Sequence, residues 1–315
     1  MKVEEIKKVG VVGAGFMGSG IAFNFALWGY PTILNDLTDQ VLRQSIKNIK
    51  AALTMFVEEG LITRQQADKA VRRIYPTTDL AKVADESDFV TEAIIESLEA
   101  KRGLFNKLDK LCPPHTIIAS NTSVLMLRDF AADVKRQDKV VITHYFVPAH
   151  IVPGVEVVKG PGTSEETFKI TCELMKKIRK VPIRVSRQLP GCLLNRIVSA
   201  MRREAYRLWA DGVATAEDID LGIRATFGFR LPYDGALMNY DLAGIWKWPK
   251  DVRLGWSRLL TDEFPLSAEE IDKIRQRIAE GTPWFIDPQK LTEENEKMNR
   301  KYLRNLKELY WSFKD

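Results

Sequence analysis

Residues 6–12 (IKKVGVV) run from charged to wholly apolar and then meet a glycine-rich turn. Such a run predicts a buried strand, and the apolar stretch 16–28 (FMGSGIAFNFALW) after the turn predicts a helix closed by Gly29. A second strand is expected at 31–35 (PTILN), which completes a strand–turn–helix–strand unit with parallel pairing and a right-handed crossover. A long amphipathic helix is expected over 38–59. Thr63 looks like the N-cap of another over 64–73, and the two make a helical hairpin inserted into the first domain. Further strands are expected near 88–94, 115–119, 139–144, 154–158 and 182–185, with helices between several of them. This alternation predicts an α/β fold with a doubly wound parallel sheet of the Rossmann type.

The pattern changes after Pro190-Gly191. Helices are expected over 191–211, 215–227, 235–246 and from about 290, and no strand is expected beyond 186. The expected division is a nucleotide-binding domain at 1–189 and an all-helical domain at 190–315, the latter carrying a tryptophan-rich stretch (Trp246, Trp248, Trp256).

Composition narrows the class. The chain has 315 residues, 45% hydrophobic and 28% charged, which suits two globular domains and excludes fibrous or disordered classes. The net charge of +5 is spread along the chain, with no lysine–arginine block or module that would indicate nucleic acid. No apolar run reaches the length of a membrane span, about 18 residues, and the amino terminus reads as the start of a strand rather than a signal peptide. The three cysteines, Cys112, Cys172 and Cys192, show no CxxC or Cys/His spacing, so neither a disulfide framework nor a metal site is expected. The expected compartment is the reducing cytoplasm.

Gly13-Ala14-Gly15-Phe16-Met17-Gly18 is a GxGxxG that follows a strand and opens a helix, the context that gives the pattern meaning. Gly13 permits the tight turn, Gly15 lets a pyrophosphate approach, and Gly18 lets helix and strand pack. Phe16 and Met17 complete the expected cofactor loop at the helix start. Asp36 ends the second strand, where a carboxylate accepts hydrogen bonds from ribose hydroxyls and repels a 2′-phosphate, so the expected cofactor is NAD.

Only three histidines occur. His144 closes one strand and Glu156 interrupts the apolar strand that follows. A buried glutamate needs a partner, and an imidazole is a suitable one. A carboxylate on one ring nitrogen leaves the other free to accept a proton. The pairing fits either a catalytic base or a satisfied core histidine. His150 reads as a loop residue or a substrate contact, and His115 as exposed.

The ordered set GAGFMGSGIA from Gly13, Glu92-Ala-Ile-Ile-Glu96, Ser120-Asn-Thr-Ser123, His144-Tyr-Phe-Val-Pro148, Glu156-Val-Val and Pro190-Gly191 with Asn195-Arg196 resembles the L-3-hydroxyacyl-CoA dehydrogenase family over nearly the whole chain. The resemblance implies a Rossmann domain, a helical dimerisation domain and a substrate held between them. It implies that His144 is the general base and Glu156 its partner. It further implies that Ser123 and Asn195 hydrogen-bond the reacting oxygen, and that Glu96, Lys101 and Ser123 lie along the nicotinamide ribose. A homodimer follows from the same likeness.

Some positions depart from the family pattern. Val147 replaces an asparagine in His-Phe-Phe-Asn-Pro. Ala52 and Glu59 stand where the acyl-CoA enzymes carry a CoA-binding serine and lysine. Gly235-Ala-Leu-Met238 and Ala279-Glu-Gly-Thr-Pro-Trp-Phe285 differ from the family's own segments. With Pro-Ala-His150-Ile-Val-Pro, these features lean towards the branch of non-CoA hydroxy acid dehydrogenases, such as those acting on carnitine and gulonate. The expected substrate is a 3-hydroxy acid, free or as a CoA thioester. Ser199, Arg202 and Arg203 follow Asn195 at helical offsets and are candidate carboxylate contacts. The alternative reading is a catalytically silent NAD-binding protein of the same fold, kept for a structural or sensing role.

Overall fold

The computed structural model describes residues 2–254 and, beyond them, residues 269, 272, 276, 279–283, 286–294 and 297. The chain forms two compact units, Met1–Met201 and Arg202–Asp315.

The first unit is built on one eight-stranded sheet. Its strands are β1 (Val9–Val12), β2 (Thr32–Asn35), β3 (Ile74–Thr77), β4 (Phe89–Glu92), β5 (Ile117–Ser120), β6 (Val140–Tyr145), β7 (Gly154–Lys159) and β8 (Val181–Val185). They lie in the order β3-β2-β1-β4-β5-β6-β7-β8, with the reversal of winding between β1 and β4. Side chains of period two separate the two cores. Val9, Val11, Leu34, Phe89, Ile117 and Val141 pack on one face, and Val12, Ile33, Val90, Ile118 and Ile142 on the other. Both faces are covered, which is why these strands read as continuous apolar runs.

All pairs are parallel except β6 with β7. The connection between them, residues 146–153, is shorter than the roughly dozen residues a parallel crossover needs. β7 therefore returns beside β6 as a hairpin. The sequence pattern did not indicate β3. It is an edge strand that carries Pro76 and exposes Tyr75, features that weaken a strand signature.

Helix α1 (Phe16–Leu27) is apolar all round, with nine buried residues and no stripe. The reason is its place between the sheet and the inserted hairpin of α2 (Asp39–Glu58) and α3 (Arg64–Arg72). Thr38 caps α2, which buries the row Leu42, Ser45, Ile49 and Leu53. Thr63 caps α3 in a reciprocal pair with Gln66. The remaining helices of the sheet are α4 (Leu80–Glu86), α5 (Leu98–Leu111), α6 (Leu127–Phe130) and α7 (Glu165–Lys177).

Helix α8 (Leu193–Ala210) begins in the first unit and ends in the second. The second unit continues with α9 (Ala216–Ala225), α10 (Phe227–Arg230) and α11 (Ala236–Leu242), and no strand occurs among its described residues. The helix expected over 215–227 breaks where Thr226 leaves helical geometry. The one expected over 235–246 stops before Gly244, whose φ of 66° starts a short 3-10 turn. Trp256, Trp284, Phe285 and most of the helix expected from about 290 lie outside the described residues. None of the described helices is long and apolar enough to cross a membrane.

Candidate active site

The glycine loop joins β1 to α1 at the C-terminal edge of the sheet, beside the β1/β4 switch point where doubly wound sheets bind ligands. Gly13 has φ 98°, and a Cβ there would lie 2.5 Å from the Ala93 carbonyl oxygen. A Cβ on Gly18 would lie 1.7 Å from the Gly13 carbonyl oxygen. Both are glycine by steric necessity. Gly15 is different: a Cβ there would meet no protein atom within 4 Å, so packing does not demand glycine. Open space above Gly15, together with the unpaired first-turn amides of α1, fits a pyrophosphate cradle. Phe16 is exposed at its rim, and Met17 packs partly against the core. Asp36, at the end of β2, accepts from the Ala14 amide at 2.7 Å and from the Leu37 amide at 2.7 Å. The carboxylate is thereby anchored to the same loop.

His144 and Glu156 are direct cross-strand partners in the β6/β7 hairpin. The Nδ1 of His144 lies 2.6 Å from Oε2 of Glu156. The carboxylate is fully buried and the imidazole nearly so. The other oxygen, Oε1, accepts from the Leu194 amide at 2.7 Å, which ties the first turn of α8 to the pair. Both carboxylate oxygens are occupied, so a charge that is costly to bury is held by two donors. Cys192 lies beside the pair, and burial, with Glu156 and Glu96 adding to it, pushes its thiol up to about 12.

The loop after β5 carries Ser123. Asn121 in that loop accepts from the Tyr145 amide at 2.9 Å and so ties the loop to the strand end that bears His144. Among the described residues the Ser123 and Asn195 side chains make no hydrogen bond, and both are half-buried. Each follows an anchored residue: Ser123 follows Thr122, whose hydroxyl donates to Glu96, and Asn195 follows Leu194, whose amide donates to Glu156.

Lys101 is buried, 1% exposed, with its ammonium 2.5 Å from Glu92 and 3.2 Å from Glu96. Glu92 also accepts from the Ser120 hydroxyl at 2.6 Å and the Ile94 amide at 2.8 Å. Glu96 accepts a short hydrogen bond from Thr122. Burial works to raise its pKa, but the Thr122 hydroxyl and the Lys101 charge outweigh it and hold the carboxyl below its usual range. Glu92 enters the sequence expectations only as part of the Glu92-Ala-Ile-Ile-Glu96 motif, with no role of its own. A glutamate ending a buried strand, with a lysine nine residues on, is the signal that points to it.

Ser199 lies on α8 in the first unit, whereas Arg202 and Arg203 open the second. Ser199, Arg202 and Arg203 are exposed. His150 packs against Phe23 and Phe56 and lines a pocket of about 340 Å³ with Phe16, Ala52 and Met55. Burial, and secondarily Lys180, lowers its pKa. His115 is exposed and contacts Asp88 at 3.1 Å.

Residues 8–188 match the NAD binding domain of 3-hydroxyacyl-CoA dehydrogenase, and residues 191–252 match the C-terminal domain of the same enzyme. The chain belongs to the 3-hydroxyacyl-CoA dehydrogenase family. The 3-hydroxybutyryl-CoA dehydrogenase of Clostridioides difficile is 36% identical over 257 residues, which cover 82% of this chain and 88% of that one. The 3-hydroxyadipyl-CoA dehydrogenase of Escherichia coli (strain K12) is 36% identical over 76% of this chain, and the match spans 49% of that longer protein. Among solved structures, a diketoreductase described in terms of dicarbonyl compounds has a TM-score of 0.67 and 27% identity, covering 87% of this chain and 92% of that one. The cofactor of the family's N-terminal domain is NAD, and the loop from Gly13 to Gly18 has the open cradle that such a cofactor requires.

Proposed function

We propose that this chain oxidises the secondary hydroxyl of a 3-hydroxy acid to a ketone, with His144 as general base and Glu156 as the residue that orients it. The observation that carries this reading is the 2.6 Å contact between His144 Nδ1 and Glu156 Oε2. Nδ1–H donating to the carboxylate fixes the tautomer and leaves Nε2 as the free acceptor for the hydroxyl proton. The buried carboxylate also stabilises the imidazolium that forms. NAD⁺, when bound, supplies the hydride acceptor. Gly13, Gly15, Phe16, Met17 and Gly18 would receive its pyrophosphate, Asp36 a ribose, and Glu96, with Lys101 behind it in the same ion pair, the region nearer the reacting centre. Ser123 and Asn195 would donate to the developing carbonyl oxygen. In the reverse direction, protonated His144 gives its proton back to that oxygen.

The substrate is a 3-hydroxy acid, carried free or as a CoA thioester. Relatives named as CoA dehydrogenases support the thioester. Ala52 and the exposed Glu59 on the hairpin, in place of a serine and a lysine, favour the free acid. Ser199, Arg202 and Arg203 are the proposed carboxylate contacts. A homodimer in the cytoplasm is part of the same proposal, and the exposed apolar row Leu193, Ile197 and Met201 on α8 is the surface offered for the dimer contact. NADH formation, followed by absorbance over a panel of 3-hydroxyacyl-CoAs and free 3-hydroxy acids, tests the reading. Turnover with the free acids alone establishes the non-CoA reading. No turnover with any member sinks the enzymatic assignment in favour of a silent NAD-binding protein.

A further inference from the structure

Cys192 is a nucleophilic side chain that the proposed chemistry does not use. It is buried and follows Gly191, and its own φ is 55°, a left-handed conformation uncommon for a residue with a side chain. Through this turn the chain enters α8 with the thiol brought up to the dyad. An imidazole nitrogen of His144, a carboxylate oxygen of Glu156 and the sulfur of Cys192 all lie within 4.8 Å of one another.

We propose that His144, Glu156 and Cys192 form a binding site for a thiophilic divalent cation of the zinc type, and that its occupancy switches the dyad off. The donor set is one nitrogen, one oxygen and one sulfur. Three protein ligands leave a fourth position of a tetrahedral ion open. Thiolate and imidazole select zinc or cobalt over magnesium or calcium, which prefer oxygen. Charge favours the same ion. A carboxylate and a thiolate together cancel a double positive charge, so the loaded site is neutral overall in a buried place where a net charge is costly. The Leu194 amide, on the Glu156 oxygen that does not face His144, holds the carboxylate as an outer-shell donor does in metal centres.

On binding, the Cys192 thiol releases its proton to solvent and the thiolate forms the bond to the metal. His144 stays neutral and ligates through a nitrogen lone pair, and no electron changes hands. An imidazole bound to a cation cannot accept a substrate proton. That loss of turnover rests on the reading of His144 as the base, whereas the metal site itself does not.

The test uses the whole chain, stripped of metal and free of nucleotide, titrated with Co²⁺. One equivalent is expected to give a thiolate-to-cobalt charge-transfer band with visible bands of tetrahedral intensity, and Zn²⁺ is expected to bleach both. Cys192→Ser should lose the charge-transfer band, as should Cys192→Gly, which suits the left-handed backbone. In the NADH assay both variants should turn over like the parent and need at least roughly tenfold more Zn²⁺ for half-inhibition. Absence of the band at saturating Co²⁺, or equal zinc sensitivity in parent and variants, overturns the site. If His144→Ala retained turnover while the band persisted in the parent, the assignment of the base would fail and the metal site would stand.

Discussion

Leu194 and Glu156 are 38 positions apart in the chain, and the amide of one donates to the carboxylate of the other at 2.7 Å. The second oxygen of the same carboxylate holds His144 at 2.6 Å. One buried side chain thus links the β6/β7 hairpin to the first turn of α8. Both the orientation of the imidazole and the position of Asn195, next to Leu194, depend on it.

Replacing Glu156 with Gln keeps the shape and removes the charge. The imidazolium formed during turnover then loses its counter-ion. The expected result is a fall in kcat of roughly 10²–10⁴, as general-base catalysis is disabled, with NADH affinity unchanged. Steady-state kinetics and NADH fluorescence titration measure the two parts separately.

Asp36 is expected to set cofactor choice. Asp36→Ser removes a charged acceptor, and a hydrogen bond to a charged group is worth about 1.5–3 kcal/mol, or roughly 10- to 100-fold. KM for NAD⁺ should rise by about that factor, and the ratio of NADP⁺ to NAD⁺ activity should rise with it. A variant with the parent's KM would remove Asp36 from the ribose site.

Lys101 and Glu92 form a pair shielded almost wholly from solvent. Lys101→Met leaves an uncompensated buried carboxylate, a change that costs roughly 3–5 kcal/mol. The double variant Lys101→Met, Glu92→Gln should recover most of that loss. Denaturant unfolding of the two single variants and the double variant checks this, and additive losses would show that the pair is not coupled.

Lys180 donates to the carbonyls of Ala149 at 2.6 Å and Val152 at 2.8 Å, inside the connection that follows β6. Burial pulls its pKa from 10.5 down to about 8. Between those values the unfolded chain binds more protons than the folded one, so this residue makes stability rise with pH from about 8 to 10.5. Below about 8 both states are protonated and the contribution is flat. Unfolding curves across that range should show the slope in the parent and its loss in Lys180→Met.

Strands β1, β2, β4, β5 and β6 were legible because two covered faces turn each into an apolar run, and the nucleotide loop because its glycines sit between a strand and a helix. The His144–Glu156 pair was legible for a similar reason, since a lone charge in an apolar strand demands a partner and the adjoining strand ends in the one that fits. β3 was not legible, because a short edge strand with Pro76 has little to bury. The antiparallel return of β7 was implicit in the length of the 146–153 connection rather than in any residue pattern. Cys192 and Leu194 could not be placed from sequence. Their approach to Glu156 depends on a left-handed turn at positions 191–192 and on where α8 starts, and neither leaves a periodic trace.

The most direct test of the catalytic reading is turnover by His144→Gln, which stays close to the size of imidazole and cannot act as a base. With the best substrate of the panel, kcat is predicted to fall by roughly 10²–10⁴ while NADH binds as tightly as it does to the parent. Undiminished turnover in a folded variant would contradict the mechanism.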